Sequence, residues 1–276
     1  MNKLEEVNKN SNYDIYLTRM EESYFKSSKN FLPLLCKGKR VLDVGCASGT
    51  LLKPLKDMGF DAVGIDLNQS AVDKCQDLGL DVENINLYEL KDSFDTIIFS
   101  SVLHEFSSYD RTDKYRYTKL PILTALMSAY KHLNSNGQIL IRDGIKASDE
   151  VITINATSYE VIKDFKQYIK DAPMYKDTTF LISGTSITAP ASLIKEFAYT
   201  YTWGKASYSR EVNEQYGILT VEDWLQIIRI AKFKINNVII SSDDYIKYVS
   251  KFFIPNDKLT EVFEQSTIII NAEKED

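Results

Sequence analysis

The sequence predicts an α/β fold that is built around a parallel sheet. Short apolar runs alternate with segments of helical periodicity between residues 41 and 141, at the spacing of βαβ units with right-handed crossovers. The first run, Val41–Val44, leads into the small residues Gly45–Gly49 and then into leucines at helical spacing. A strand, a tight turn and a helix in this order let backbone N–H groups approach a ligand closely, so we expect a ligand site there.

The individual elements follow from apolar periodicity and from the turn residues between the runs. The predicted strands are Val41–Val44, Ala62–Ile65, Asp81–Leu87, Phe94–Phe99, Gln138–Ile141, Phe233–Ile240 and Ser266–Asn271. The predicted helices are Leu51–Met58, Ala71–Leu78, Leu120–Leu133, Tyr159–Ile169 and a helix after Thr220, with one or two amphipathic helices before the first strand. Thr220 and Asp223 fit a capping box at the start of the last helix.

The alternation of strands and helices is interrupted after residue 146, which indicates segments inserted into a single domain. We expect an N-terminal helical cap (1–38), a core (39–146 and 219–276), an inserted substrate cap (147–218) and a smaller insertion (241–264). Connections as long as the substrate cap are functional or form a subdomain. Within it we expect a helix in Thr188–Glu196, followed by a strand or extended segment with aromatic residues at every second position from Phe197 to Trp203.

Composition and charge argue against several classes of protein. The formal net charge of −6 argues weakly against non-specific nucleic-acid binding, although the basic, aromatic stretch Tyr109–Lys119 leaves contacts with RNA possible. The charged N-terminus has no secretory signal and no run reaches the ~18 apolar residues that span a bilayer, so we expect a cytoplasmic protein with no membrane partner. Cys36, Cys46 and Cys75 form no C-x-x-C pair, so we expect no metal site and no disulfide framework.

Small or polar residues follow the predicted strands at the edge of the sheet where open parallel sheets bind ligands. They are Gly45–Gly49, Asp66, Asn86–Leu87, Ser100–Ser101 and Arg142–Asp143. Asp66, which lies 17 residues beyond Gly49, fits a carboxylate that accepts both ribose hydroxyls of an adenosine. The dinucleotide pattern G-x-G-x-x-G is absent, and Asp43 beside the turn disfavours a pyrophosphate and favours a cationic ligand. S-adenosylmethionine has an ammonium and a sulfonium group and no phosphate.

Four segments resemble the class I S-adenosylmethionine-dependent methyltransferases in order and spacing. They are VLDVGCASGTLL, GIDLN, FDTIIFSSVLHEF and LNSNGQILIRDG, and the resemblance covers roughly residues 24–145 and 219–272. It implies a seven-stranded, mostly parallel, Rossmann-like sheet with helices on both faces and an antiparallel last strand. It implies S-adenosyl-L-methionine as cofactor, bound by Asp43, Gly45, Ala47, Gly49, Asp66, Leu67, Asn86, Leu87, Ser100 and Ser101. Ala47 stands where the family often has glycine, and Asn86 where aspartate is common.

The acceptor is less constrained by the sequence than the cofactor. We expect methyl transfer to an O or N nucleophile of a small molecule held under the cap, with Tyr24, Tyr201, Trp203 and Arg210 as candidate substrate-binding residues. His104 and Arg142 are the candidate catalytic residues, whereas His132 is expected to be structural. Two alternatives remain: a methyltransferase that acts on RNA or a nucleotide, and a non-catalytic module that binds the cofactor or a nucleotide. The oligomeric state stays open.

Overall fold

The main sheet has seven strands in the order β3-β2-β1-β4-β5-β11-β9. The computed structural model describes residues 13–20, 28–110, 112–242 and 245–275, together with Leu4 and Val7. The strands of this sheet are β1 (Arg40–Val44), β2 (Asp61–Ile65), β3 (Asp81–Glu83), β4 (Phe94–Ser100), β5 (Leu133–Gly144), β9 (Phe233–Ser241) and β11 (Thr267–Lys274). The last strand, β11, is antiparallel to both of its neighbours, whereas the strands from β3 to β5 are parallel. This confirms the predicted fold class.

The central strands have apolar residues on both faces because both faces of the sheet are covered. In β1, Val41 and Leu42 are both fully buried although they point to opposite faces, and Leu42 pairs with Ile97 of β4. Continuous apolar runs are what parallel strands between two layers of helices require. One face packs on a cluster that includes Trp224, and the other on a smaller cluster that includes Leu51.

Some of the helices begin at residues whose side chains cap them. The helices are α1 (Tyr13–Met20), α2 (Leu52–Asp57), α3 (Gln69–Asp77), α4 (Leu103–Ser108), α5 (Lys119–His132), α6 (Tyr159–Asp171), α7 (Ala191–Thr202), α8 (Tyr208–Glu211), α9 (Val221–Ile230), α10 (Tyr245–Val249) and α11 (Asp257–Glu264). The Asn68 side chain caps α3 by accepting from Ser70 N. Thr220 and Asp223 form both hydrogen bonds of the capping box at α9, which confirms that prediction.

A second, four-stranded sheet lies outside the main one and was not predicted. Its order is β10-β6-β8-β7, with β6 (Val151–Ala156), β7 (Leu181–Ser183), β8 (Ser186–Pro190) and β10 (Phe253–Ile254). The strand β10 comes from the smaller insertion and pairs antiparallel with β6 of the larger one. The two insertions therefore build one structure, whose own hydrophobic cluster contains Phe165, Phe197 and Phe253.

Two predicted strands differ from the structure. The segment from Phe197 to Trp203 was predicted to be extended, but it lies mostly in helix α7. Residues 191–200 of α7 are all buried, including Ser192, Lys195, Glu196 and Thr200, so the helix lacks the exposed face that marks a surface helix. The third strand ends at Glu83 and not at Leu87, because Asn86 caps a short 3₁₀ helix, Leu87–Glu89, in a capping box with Glu89.

Within the described part of the chain, no helix is both long enough and apolar enough to cross a lipid bilayer.

Candidate active site

A cavity of about 470 Å³ lies at the carboxyl ends of the main-sheet strands, beneath α1 and the inserted segments. Its position coincides with the reversal of strand order, since β1 pairs with β2 on one side and with β4 on the other. In open α/β sheets ligands bind at this switch point. The volume falls within the range of small-molecule pockets.

The cavity brings together most of the residues that the sequence singled out. Those that line it are Gly45, Ala47, Asp66, Leu67, Asn86, Leu87, Ser100, Ser101, His104, Arg142, Trp203 and Arg210. Asp43, Gly49 and Tyr201 are not among its lining residues. Tyr24 lies outside the described residues. We call the part formed by Gly45–Ala47, Asp66–Asn68, Ile85–Glu89 and Ser100–Ser101 the cofactor half, and the part formed by His104–Tyr109, Asp143, Tyr199, Arg210–Tyr216 and Tyr245 the acceptor half.

The glycine turn at the end of β1 has left-handed backbone that only small residues tolerate well. Gly45 has φ +69°, and a Cβ there would lie 2.6 Å from Cγ2 of Val102. The backbone N–H of Gly45 donates to the carbonyl of Ile65 at 2.8 Å, which ties the turn to the end of β2. Ala47 has φ 47°, so the position where the family often has glycine retains glycine-like backbone.

Asp66 closes the turn from the end of β2. Its Oδ2 accepts from the N–H of Ala47 at 3.0 Å, and its Oδ1 accepts from the N–H of Asn68 at 2.8 Å. Burial raises the pKa of Asp66, and these backbone donors partly offset that rise. The turn, the strand end and the start of α3 therefore hold one carboxylate at the cavity wall.

Asp43 lies behind the turn and interacts with Lys29. Its side chain is buried, and burial raises its pKa to about 7 while the neighbouring Lys29 lowers it. Burial lowers the pKa of Lys29 to about 8 against the opposing effect of Asp43. Lys29 lines the cavity, so the structure places an amine where the sequence predicted a carboxylate.

Ser100 and Ser101 end β4 on the floor of the cavity. Ser100 Oγ is buried and has no hydrogen-bond partner among the described residues, which leaves it available to a ligand. Ser101 has φ 56° and its Oγ accepts from Nη1 of Arg142 at 2.7 Å. Arg142 also donates through Nε to the carbonyl of Ser28 at 3.2 Å, so its guanidinium is held between strand ends and the N-terminal segment.

Asn86 and Leu87, which were predicted to flank an adenine, line the cavity together with Asp66. Asn86 Oδ1 accepts from the N–H of Tyr88 at 3.1 Å, so this oxygen is used by the 3₁₀ helix cap. Leu87 is buried and lines the cavity next to it. This end therefore offers an apolar surface and a rim of polar groups.

In the acceptor half, a buried histidine lies between two carboxylates. His104 Nδ1 is 2.7 Å from Asp143 Oδ1, and its Nε2 is 3.5 Å from Glu214 Oε2. Burial by itself lowers the pKa of His104, but Asp143 and Glu214 outweigh it and raise that pKa well above its ordinary value. This arrangement therefore favours the protonated form of His104.

Arg210 joins the inserted segment to helix α4. Its Nη2 donates to Glu105 Oε1 at 3.0 Å and lies 3.1 Å from Glu214 Oε1. The guanidinium carbon lies 4.5 Å from the ring centre of Tyr16. Arg210 is therefore a buried cation held between carboxylates and aromatic rings, and it pairs with Glu214 as the spacing of four residues allows.

Aromatic rings close the cavity from α1 and the insertion. Tyr16 stacks on Trp203 with ring centres 5.2 Å apart, and both pack with Ala47 of the turn. Tyr201 points elsewhere: its hydroxyl donates to Asp164 at 3.0 Å, and its ring packs on Phe197. The structure thus brings Trp203 to the cavity and leaves Tyr201 in the core of the insertion.

Sequence reasoning missed several residues of this site. Lys29, Tyr13, Tyr16, Tyr109, Glu211 and Tyr216 line the cavity although none was a predicted site residue. Their only common signal is polarity or aromaticity in segments that were read as caps. Glu105 and Glu214 lie with His104 in a group whose nitrogen and oxygen atoms come within 4.8 Å of one another, and one guanidinium nitrogen of Arg210 lies 3.0 Å from Glu105 and 3.1 Å from Glu214.

The stretch Tyr109–Lys119, which left RNA contacts possible, is partly tied into the fold. Arg116 Nε donates to the carbonyl of Ser108 at 2.8 Å, and its Nη2 donates to the hydroxyl of Tyr117 at 2.6 Å. That hydroxyl donates in turn to the carbonyl of Asn213. Arg116 therefore braces the insertion, and Arg111 lies outside the described residues.

Comparison with known proteins shows which family this chain belongs to and which solved structures share its fold. A family model described as a methyltransferase domain matches residues 16–181, which is more than half of the chain. Comparison with curated proteins gives no match. A solved S-adenosylmethionine-dependent methyltransferase from Mesorhizobium loti aligns over 92% of this chain and 100% of its own, at 15% identity and a TM-score of 0.53. One from Archaeoglobus fulgidus aligns over 96% and 100%, also at 15% identity and 0.53.

Magnesium protoporphyrin IX methyltransferase from Synechocystis, solved with bound S-adenosylhomocysteine, aligns over 91% of this chain and 84% of its own. Its identity is 13% and its TM-score is 0.51. At identities this low, the likeness to solved structures shows the fold alone.

Proposed function

We propose that this chain, which belongs to the class I S-adenosylmethionine-dependent methyltransferase family, transfers a methyl group to a small molecule bound in the acceptor half of its cavity. One observation carries the proposal. The cavity runs without interruption from Asp66 and Asn86 to His104 and Glu214, beneath the inserted segments. A single continuous space that joins a nucleoside end to a polar end suits a donor and an acceptor bound side by side.

The residues of the cofactor half fit S-adenosylmethionine. Gly45 presents backbone without a side chain, and the space that its Cβ would need is filled by Val102. Asp66 suits the ribose hydroxyls, and the buried, unpartnered Ser100 Oγ suits a donor of the methionine part. Lys29 and Arg142 are cations at the Ser28 side of the cavity, where they suit a carboxylate.

When bound, S-adenosylmethionine supplies an electrophilic methyl group on a sulfonium. The protein then has to align the acceptor and keep water away, because displacement needs no metal or covalent intermediate on the enzyme. Tyr16 and Trp203 cover the turn from outside, and Arg210 fixes the inserted segment against α4. Through these contacts the inserted segment forms one wall of the acceptor half.

His104 was predicted as a catalytic residue, and its geometry favours a positioning role. An imidazole whose two nitrogens face Asp143 and Glu214 donates hydrogen bonds and accepts no proton from a substrate at neutral pH. Arg142 is engaged by Ser28 and Ser101, so we assign it to the cofactor and not to proton transfer.

The proposal is tested by binding and turnover measured on the same protein. Isothermal titration calorimetry with S-adenosylhomocysteine is expected to show one site per chain, with affinity in the micromolar range of small-molecule pockets, that is, about −8 kcal/mol. Formation of S-adenosylhomocysteine from S-adenosylmethionine in the presence of small-molecule extracts is expected to exceed that in their absence. No binding, or binding without turnover in any extract, contradicts it, the latter in favour of a cofactor-binding module.

A further inference from the structure

We propose that the acceptor is a small amine that arrives as its cation and binds with its nitrogen against Glu211 in the acceptor half. The inference rests on the proposed function, since it names the class of molecule that the methyltransferase uses. It is carried by the charge, the hydrogen bonding and the aromatic character of the described residues around this part of the cavity.

The acceptor half has more carboxylates than cations. Of the described residues that line it, Glu105, Asp143, Glu211 and Glu214 are acidic, whereas His104 and Arg210 are basic. Each of these side chains is buried or nearly so. Buried carboxylates without a counter-charge are costly, so the site favours a ligand that brings positive charge and disfavours an anion.

Glu211 is the carboxylate that lacks a full set of partners. It is 0% exposed and lines the cavity. Its Oε2 accepts from the Tyr216 hydroxyl. Its Oε1 has no hydrogen bond among the described residues and lies 3.6 Å from Nε of Arg210, beyond hydrogen-bond distance. Because buried polar atoms are almost always satisfied, this oxygen points to an N–H donor supplied by a ligand.

Two further aromatic rings lie beside Tyr216, the residue that donates to Glu211. Tyr199 lies 5.4 Å from Tyr216 and 4.8 Å from Tyr245, measured between ring centres, and all three rings line the cavity. Aromatic faces attract cations and do not attract anions. Arg210 over Tyr16 shows that this site already stabilises one cation by the combination of rings and carboxylates.

Glu211 also suits the proton transfer that an amine acceptor needs. An ammonium has no lone pair, so it must lose a proton before its nitrogen can attack. Burial, together with Glu214 and Glu105, raises the pKa of Glu211 well above its usual range, while Arg210 and the Tyr216 hydroxyl act in the opposite direction. A carboxylate with a raised pKa shifts the carboxylate–ammonium pair towards carboxylic acid and free amine.

The step is balanced in atoms and charge. The ammonium proton goes to Glu211 Oε1, and the nitrogen lone pair forms the new N–C bond. The C–S bond of the sulfonium donor breaks and sulfur keeps its electron pair. The positive charge thus passes from sulfur to the methylated nitrogen, and no further reactant is needed.

Three probes that differ only in charge test the inference. They are tyramine, 4-propylphenol and 3-(4-hydroxyphenyl)propionate, each titrated calorimetrically into protein saturated with S-adenosylhomocysteine. We expect tyramine to bind at least about tenfold more tightly than the other two, as charge-assisted hydrogen bonds allow. Burial raises the pKa of Glu211 and a bound cation lowers it, so tyramine binding is also expected to release protons at neutral pH, read from titrations in buffers of different ionisation enthalpy.

Glu211→Gln is expected to remove the tyramine preference and the proton release, while S-adenosylhomocysteine affinity stays within twofold. Glu222→Gln, at an exposed position on α9, is the matched control and is expected to change neither. Proton release by the unaltered protein decides the question if the Glu211 variant fails to fold.

Tighter or equal binding of either uncharged or anionic probe overturns the inference, as does the absence of tyramine binding to protein that binds S-adenosylhomocysteine. A requirement for added Mg²⁺ would also overturn it, in favour of a metal held by His104, Glu105 and Glu214. Failure to bind S-adenosylhomocysteine would overturn the proposed function instead, so the two failures are distinguishable.

Discussion

His104 Nδ1 lies 2.7 Å from Asp143 Oδ1, and this buried pair links the start of α4 to the end of β5. Asp143 accepts two further hydrogen bonds, from the backbone N–H of His104 at 3.2 Å and from that of Gly144 at 2.8 Å. The other imidazole nitrogen faces Glu214 of the insertion. One charged ring therefore connects the main sheet to the segment that covers it.

Replacing His104 with Ala is expected to destabilise the protein by about 3–5 kcal/mol, because it leaves the buried Asp143 carboxylate without its imidazole partner. Urea denaturation followed by circular dichroism measures the change. His132→Ala is the control, since His132 is half-buried and bonds only to the carbonyl of Asp92 among the contacts described. Loss of turnover with unchanged stability would contradict the positioning role and favour a catalytic base.

The free energy of unfolding is expected to fall as the pH rises from about 4.5 to 7. Burial raises the pKa of Glu105 to about 7, against the effect of Arg210, and raises that of Glu196 to about 7, against two backbone donors. A carboxyl group whose pKa is higher in the folded state binds more protons there than in the unfolded chain. Its contribution is complete below the unfolded value of about 4.5 and is lost as the pH rises through the folded value.

His104 extends this trend to higher pH, because its pKa is also raised and its contribution is lost above about 6.5. Glu214 acts oppositely, since its lowered pKa gives a contribution that is lost as the pH falls below about 4.5. Urea titrations at several pH values measure how steeply the free energy of unfolding falls with pH, and Glu105→Gln is the variant that tests this slope. The variant is expected to flatten it, and a stability that rises between pH 5 and 7 would contradict the assignment.

The main sheet was predictable because its signals are local. Each strand is a short apolar run that ends in small or polar residues, and Thr220 and Asp223 mark a helix start by their own side chains. The second sheet was not predictable, since β6 and β10 are about a hundred residues apart and the two residues of β10 leave no periodic pattern. The first half of helix α7 was predicted and the second half was not, because the aromatic residues at every second position from Phe197 to Trp203 imitate one face of a strand.

The cofactor half was predictable from the sequence in the same way, and the acceptor half was not. Asp66 comes directly after β2 and Ser100 ends β4, and the sequence predicts where both strands end. Glu211 and Tyr216 reach the cavity only because the insertion folds back over α4, a tertiary contact made by Arg210 with Glu105. Asp43 shows the limit of the local argument. The sequence predicted that it contacts the cofactor, but it is buried beside Lys29, and Lys29 lines the cavity.

Gly45→Ala is expected to weaken both stability and S-adenosylhomocysteine binding. The new Cβ would lie 2.6 Å from Val102 in backbone with φ +69°. Gly59→Ala is the matched control, because its φ is +87° and a Cβ there meets nothing within 4 Å. The control is expected to cost about 1 kcal/mol for the left-handed backbone alone, and Gly45→Ala more than that. Equal costs, with cofactor affinity unchanged, would contradict a close-packed turn.

The last prediction compares substitutions at the two ends of strand β2. Asp66→Ala, at the carboxyl end of β2, is expected to weaken S-adenosylhomocysteine binding by about 10- to 150-fold, as loss of a charge-assisted hydrogen bond of about 1.5–3 kcal/mol implies. Asp61→Ala, at the start of the same strand, removes an exposed carboxylate 3.6 Å from Arg40 and is expected to leave binding unchanged. Calorimetry measures both. Equal effects would contradict a specific role of Asp66 in cofactor binding, because Asp61 does not line the cavity.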